Sequence, residues 1–272
     1  MYTMKVGFTA TVLLVALSAS LWSAHAASPA AALPATTTPP CHVRATVHLA
    51  AVTPDSVNLV WRFEPDDRWY LYAPYRNDTG FPPSVELDLP AGWTAGPLQF
   101  PAPVRKVLPG DILDHIYSSE LLLLQTLHTG GRPSVAGQTI TARLAWLACR
   151  ELCVPGQVVL TVPVAGGASD PRAVELWSQA RRALPVALPA GTVTIEREAA
   201  VIRVTAPGAS RLVFIPAESG PTLVDLIRDG DREGPILTLR LRPGPAAGNP
   251  LQGLLSIHYP SARQLTGTVV LP

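Results

Sequence analysis

The segment Thr139-Ile140-Thr141-Ala142-Arg143-Leu144 alternates polar with apolar side chains, the period of a strand with one buried face. Strand-like runs recur at 43–52, 56–63, 69–73, 84–89, 121–127, 139–147 and 158–164. Between them stand turn residues at sandwich-like intervals, and 29 prolines and 20 glycines keep each run short. The fold class this predicts is all-β. Residues 90–119, broken by Pro97, Pro101, Pro103 and Pro109, read as loop with one or two short strands.

The amino terminus sets the compartment. Lys5 precedes an apolar run at 12–17 that continues through Leu21-Trp22, followed by the small-x-small site Ala24-His25-Ala26. Residues 1–26 are therefore expected to be a signal peptide cut after Ala26, leaving a soluble, exported chain in the periplasm. That run is short for an anchor, and no later segment approaches about 20 uninterrupted apolar residues, so no membrane span is expected after cleavage. Loss of Lys5 leaves 20 basic against 20 acidic residues, a balance that gives no reason to expect nucleic acid as a partner. In such an oxidising space a disulfide can persist. A lipid anchor is not expected, because Cys41 lies well past the cleavage site.

Residues 27–40, rich in Ala, Pro and Thr, read as a flexible leader. The first β domain is expected over 41–168. A boundary follows at Gly166-Gly167-Ala168-Ser169, where Asp170 can cap a helix opening on Pro171. Val174, Trp177, Ala180 and Leu184 share one helical face before Pro185, so 169–272 is expected to hold a linking helix and a second β-sandwich. Its strand-like runs are 192–195, 201–205, 211–216, 236–241, 254–258 and 266–271, and it contains no cysteine.

Chemistry concentrates at Cys149-Arg150-Glu151-Leu152-Cys153, between the runs 139–147 and 158–164. On that reading the five residues form the turn of an antiparallel pair, across which two α-carbons can approach to the roughly 4.4–6.8 Å a disulfide requires. Two readings stand open. A staple closing about five residues is worth only about 2 kcal/mol in the chain-entropy model, against about 4.7 for a hundred-residue loop. A short, exposed disulfide is also of the labile kind that suits thiol exchange. Arg150 favours a thiolate and Glu151 opposes it. The C-x-x-x-C spacing, with Val154-Pro155-Gly156 leading into a strand, is not that of thioredoxin.

The run from Trp146 through Cys149 and Cys153 to Gly156, with Trp69-Tyr70-Leu71-Tyr72, Gly80-Phe81-Pro82-Pro83 and Leu89-Pro90-Ala91-Gly92-Trp93, resembles the amino-terminal periplasmic region of DsbD-type transmembrane disulfide reductases. The branch it is most similar to is suppressor of copper sensitivity protein B, to whose second module Phe214-Ile215-Pro216-Ala217 and Leu251-Gln252-Gly253-Leu254-Leu255 are weakly similar. The resemblance implies an immunoglobulin-like domain, a protein-disulfide reductase component whose Cys149 and Cys153 cycle between dithiol and disulfide without another cofactor. Cys153 would be the attacking sulfur, with Tyr70 and Tyr72, and Trp146 nearby, shielding or supporting the pair. The tyrosines read equally well as ordinary strand residues. The implied partners are a membrane-embedded electron donor of the DsbD/CcdA type and thioredoxin-fold periplasmic proteins. The family's cap loop should fall at 106–115, where Leu108-Pro109-Gly110-Asp111 offers no aromatic to cover the sulfurs. The sequence runs to Pro272 without the family's transmembrane or thioredoxin domains, so this version is expected either to draw electrons from a separate membrane protein or to transfer none.

Two other functions compete. One is a non-enzymatic binding or assembly module with a structural disulfide. The other is copper tolerance through Cu(I), which soft thiolates beside imidazoles suit; Cys149, Cys153 and Cys41, with His42 and His48 near the last, supply such groups. Cys41 otherwise reads as a free thiol, an intermolecular link or a small buried hydrophobe. His115, His128 and His258 read as isolated surface or strand residues, and Asp66-Asp67 and Asp229-Gly230-Asp231 as turns.

Overall fold

The computed structural model describes residues 42–131, 135–165, 170–244 and 246–272. The signal segment 1–26, the leader 27–40, Cys41 and the boundary glycines at 166–167 lie outside the described residues. Alternation dictates the first sandwich. Strands β1 (Val43–Val52), β2 (Ser56–Pro65) and β8 (Leu121–His128) form one antiparallel sheet, with the short β5 (Thr94–Ala95) at its edge. Strands β4 (Ser84–Asp88), β9 (Thr139–Cys149) and β10 (Cys153–Pro163) form the other. Their inward faces meet in a core that includes Leu59, Trp61, Phe63, Leu123, Leu144 and Trp146.

A third small sheet joins β3 (Leu71–Tyr72), β7 (Ile112–Tyr117) and β6 (Val104–Leu108). The segment 106–115, expected as a loop, is thus mostly a hairpin turning at Pro109-Gly110-Asp111. Its β7 strand buries Leu113, Ile116 and Tyr117, which gives it a reason to pair that proline spacing concealed.

Helix α1 (Pro171–Ala183) starts as expected, with the Asp170 carboxylate accepting from the Arg172 N–H. Its buried face differs from the expected one: Ala173, Leu176 and Ala180 are buried, whereas Val174 is exposed. These small residues seat the helix on Ala50, Val60, Leu122 and Leu124, the outward side of the first sheet, with Trp177 and Leu184 partly buried around them.

The second sandwich pairs two antiparallel sheets. One contains β18 (Gln264–Leu271), β17 (Leu251–His258), β14 (Arg211–Pro216) and β15 (Asp231–Glu233), with β11 (Val186–Ala187) added in parallel at the edge. The other contains β12 (Thr194–Glu198), β13 (Val201–Thr205) and β16 (Ile236–Arg240), and Phe214, Leu239, Leu255 and Ile257 fill the space between. Asp229-Gly230-Asp231 is not a free turn. Asp229 closes helix α2 (Leu226–Asp229) and is buried against the Arg240 guanidinium at 2.7 Å, while Asp231 opens β15.

The two sandwiches lie in one compact unit. Tyr75 and Ala102 of the first cover Val213, Ile215 and Leu254 on the second. Arg76 donates to the carbonyls of Glu218, Gly220 and Pro221, and Arg105 reaches Asp231 at 2.9 Å.

Candidate redox site

β9 carries Cys149 on the face opposite its core residues. Ile140, Ala142, Leu144, Trp146 and Ala148 are buried inward with the period of two, so Cys149 at the strand's end faces the other way. There it packs with Tyr70, Tyr72, Ile116 and Leu147. The strands run further than the alternation suggested: β9 includes Cys149, β10 starts at Cys153, and the exposed turn shrinks to Arg150-Glu151-Leu152.

Register explains how the sulfurs meet. Cys149 and Cys153 are directly paired, with α-carbons 4.1 Å apart, and their sulfurs are bonded. On its other side Cys149 exchanges both backbone hydrogen bonds with Tyr70, at 2.9 and 3.0 Å. Since antiparallel positions alternate, the Cys149–Cys153 pair is the non-hydrogen-bonded kind, which brings side chains closest. The two sulfurs differ in setting: Cys149 is 1% exposed, whereas Cys153 stands in the open beside Leu152.

The two tyrosines come to the site, and they do different work. Tyr72, fully buried, places its hydroxyl 3.2 Å from Cys149 Sγ and 3.6 Å from Cys153 Sγ. Tyr70 meets the Tyr72 ring edge-on at 5.6 Å, and the Lys106 ammonium lies 3.5 Å above the Tyr70 ring. Burial, aided by a hydrogen bond to Tyr72, pushes the Tyr70 phenol well above its ordinary range. Burial also lowers the Lys106 ammonium, against a smaller pull from Asp114. The hairpin thus covers the site's tyrosines with a lysine where an aromatic cap was missing from the sequence.

Trp146 does not shield the sulfurs. Its ring lies in the core, edge-on to Phe63 at 5.9 Å, and supports β9 from behind. Opposite it in register stands Gly156, where a β-carbon would fall 2.3 Å from the indole nitrogen. Gly80 serves Tyr72 in the same way, since a β-carbon there would fall 2.2 Å from the ring. The glycines of the two quoted motifs are therefore moulds for these rings.

Two residues that the sequence did not single out, Asp114 and Thr79, complete the surroundings. The buried Asp114 carboxylate accepts from the Thr79 hydroxyl at 2.6 Å and from the Asp78 and Thr79 N–H groups at 3.0 and 3.1 Å. Thr79 Oγ1 in turn lies 2.9 Å from the Tyr72 hydroxyl. Trp69 stacks on His42 at 3.7 Å, with the Arg150 guanidinium 5.6 Å from its ring. The neighbourhood of Thr79 to the Gly80-Phe81-Pro82-Pro83 motif is the one signal that pointed this way.

Other expected positions stay apart. His115 is a fully buried β7 residue and His258 ends β17. His48 bonds to Thr46 on β1. Among the described residues no group of three or more His, Cys, Asp or Glu side chains is placed to hold a metal ion. No helix among them is long and apolar enough to cross a membrane.

Residues 39–165 match the family described as thiol:disulfide interchange protein DsbD, N-terminal. Among solved structures, the N-terminal periplasmic domain of ScsB from Proteus mirabilis aligns with a TM-score of 0.59 at 12% identity, covering 85% of this chain and 93% of that one. That likeness of fold spans both sandwiches. The reduced N-terminal domain of DsbD from Neisseria meningitidis aligns over 46% of this chain and 87% of its own, at 18% identity and a TM-score of 0.30. The same organism's DsbD N-terminal domain in complex with the PilB N-terminal domain gives 20% identity, coverages of 46% and 86%, and a TM-score of 0.29. No curated protein matches the chain.

Proposed function

We propose, from the premise that the first sandwich belongs to the DsbD amino-terminal family of thiol:disulfide interchange domains, that it relays electrons in the periplasm through Cys149 and Cys153. The donor is a membrane-embedded reductase, and the acceptors are thioredoxin-fold thiol proteins. The observation that carries this reading is the asymmetry of the disulfide, an exposed Cys153 bonded to a buried Cys149.

A thiolate from the donor can reach Cys153 Sγ from solvent. As the new sulfur–sulfur bond forms, the Cys149–Cys153 bond breaks and its electron pair leaves on Cys149. The donor's second thiolate then attacks its own mixed-disulfide sulfur and releases Cys153. Two electrons have moved, the donor dithiol has become a disulfide, and water supplies the protons for the new thiols. Delivery runs in reverse: Cys153 attacks an acceptor disulfide, and Cys149 resolves the mixed disulfide by attacking Cys153 Sγ.

Trapping tests these roles. Cys149→Ser keeps the exposed attacking sulfur and removes the resolving one, so it should accumulate a mixed disulfide with a purified thioredoxin-fold disulfide protein. Cys153→Ser, made like the first variant in a Cys41→Ser background so that it keeps only the buried sulfur, should accumulate at least about tenfold less, as exposure controls exchange. Equal trapping by both would overturn the assignment of roles, and none by either would favour a structural disulfide.

A further inference from the structure

The hydrogen-bond arithmetic around Tyr72 does not close in a single arrangement. Its phenol has one hydrogen, and two acceptors lie nearest, Thr79 Oγ1 at 2.9 Å and Cys149 Sγ at 3.2 Å, with Cys153 Sγ farther off at 3.6 Å and the Tyr70 hydroxyl a further hydrogen-bonding neighbour. Thr79 has no hydrogen to spare for Tyr72, because its hydroxyl bonds the Asp114 carboxylate at 2.6 Å. A disulfide sulfur carries no hydrogen either. Tyr72 is therefore the donor in both contacts and can satisfy one fully at a time. While the disulfide is closed, the hydroxyl oxygen is the better acceptor. When Cys149 leaves as a thiolate, the charged sulfur becomes the stronger one, since charge-assisted hydrogen bonds are about twice as strong as neutral ones.

We propose that the Tyr72 hydroxyl is a two-position donor, directed at Thr79 while the disulfide is closed and turned onto Cys149 when that sulfur departs as a thiolate. This deepens the exchange reading and rests on it for its place in the reaction. Tyr72 is then a catalytic residue, because it touches the leaving sulfur. Thr79 is a positioning residue, and Asp114 acts through it by holding its hydrogen away from Tyr72.

Atoms and electrons balance simply. The partner's sulfur bonds Cys153, the Cys149–Cys153 bond breaks, the electron pair passes to Cys149, and Tyr72 keeps its hydrogen throughout. Geometry makes the donor selective, since its oxygen is nearer Cys149 than Cys153. It is also held still: the ring is fully buried and wedged against Gly80. Cys149 has little access to water, so this donor replaces solvation that a buried thiolate would otherwise lack. The other charged groups nearby are Lys106, above Tyr70, and in the exposed turn Glu151 and Arg150, the latter against Trp69.

The test uses the full chain with Cys41→Ser and Cys153→Ser, in which the thiolate absorbance of Cys149 can be titrated alone. Adding Tyr72→Phe removes the donor and should raise the Cys149 pKa by about one to two units. Adding Thr79→Val removes the competing acceptor and should lower it, by about half a unit to one unit, while Thr79→Ser restores the parent value. In the chain with both cysteines, Tyr72→Phe should slow reduction of the disulfide by a small dithiol about three- to tenfold, because a less acidic thiol is a poorer leaving group. A purely structural role would move both substitutions in one direction or move neither, and either result overturns the proposal. Should Tyr72→Phe fail to fold, the Thr79 pair decides alone: a lowered pKa rescued by Ser supports the two-position donor, and an unchanged pKa overturns it. If opposite shifts appear but Cys149→Ser traps no thioredoxin-fold protein, the donor stands and the exchange function falls.

Discussion

Both sandwiches enclose an apolar core between two sheets, and both make room for a large ring by placing a glycine beside it. Gly156 faces Trp146 in the first; in the second, a β-carbon on Gly253 would meet the Phe214 ring at 2.9 Å. They differ in what lies outside that core. The first adds the β3-β7-β6 sheet, whose buried Asp114 and His115 are polar, and whose Tyr72 borders the sulfurs. The second lends its outer face to that addition, through the apolar patch under Tyr75 and Ala102 and the Arg105–Asp231 pair. Packing supplies the scaffold in both halves. The cysteines stand on the first sandwich's own β9–β10 pair, and the appended sheet, which the second sandwich braces, packs against the buried one.

The largest effects should show whether that division holds. Trp146→Ala is expected to lower the stability of the first sandwich by about 3–5 kcal/mol, the usual cost of emptying a large aromatic site. Phe214→Ala should cost the second a similar amount. Denaturant unfolding, followed alongside reduction of the disulfide by a small dithiol under native conditions, separates the two cases. With Phe214→Ala the exchange rate should stay within about twofold of the parent, the change left by under half a kcal/mol. A collapse of exchange there would mean that the second sandwich is part of the site rather than its brace.

Much of this scaffold was legible in the sequence because it rests on alternation. The run 43–52 needed no tertiary information, nor did 201–205, since each presents one face to a core. The cysteine pair was legible as a turn because it lies between two strand-like runs, 139–147 and 158–164, whereas the register that pairs Cys149 with Cys153 came only with the fold. The β6–β7 hairpin was hidden, because its prolines spoke louder than its pattern and its partner strand is two residues long. Thr79 and Asp114 were hidden more deeply. They are 35 residues apart, and nothing local to either announces that they converge beneath a tyrosine. Trp146, which the resemblance implied would shield or support the pair, is on the opposite face by strand parity and backs β9 from the core.

Acid should test the appended sheet next. His115 donates from Nδ1 to the Arg76 carbonyl at 2.6 Å, and its buried Nε2 has no partner. Burial therefore depresses its pKa to about 4, outweighing the Arg76 carbonyl's opposite pull. Below the ordinary histidine value of about 6.5 the unfolded chain binds a proton that the folded chain refuses until about pH 4. Stability is then fully present above pH 6.5 and declines as pH falls toward 4, by about 3 kcal/mol at most from this residue. His48 and His258, also lowered mainly by burial, act in the same direction. His115→Leu should flatten the fall in denaturant midpoint between pH 7 and 4.5, and an unaltered slope would remove His115 from the account.

The smallest effect isolates the brace itself. Arg105 has a nearly buried side chain that donates to Asp231 at 2.9 Å and to the Leu226 and Ile227 carbonyls at 3.0 and 3.2 Å, with its Nε unpaired. The pair is unequal. Burial lowers the Arg105 pKa despite Asp231, whereas Asp231 is pushed up by burial but held below its ordinary range by Arg211 and Arg105 together. Arg105→Met keeps the length of the side chain and leaves Asp231 bonded to Arg211 at 2.6 and 2.7 Å, so no charge is stranded. The cost should therefore be about 1–2 kcal/mol rather than the 3–5 of a buried pair broken on one side. Because Arg105 and His115 are opposite each other on β6 and β7, the loosening should appear first in that hairpin. Amide hydrogen exchange across 104–117 should quicken about tenfold while the β13–β16 amides keep their protection. Equal loosening of both regions would merge brace and scaffold into one cooperative body, and no change in the hairpin would leave the second sandwich without a mechanical part in the site.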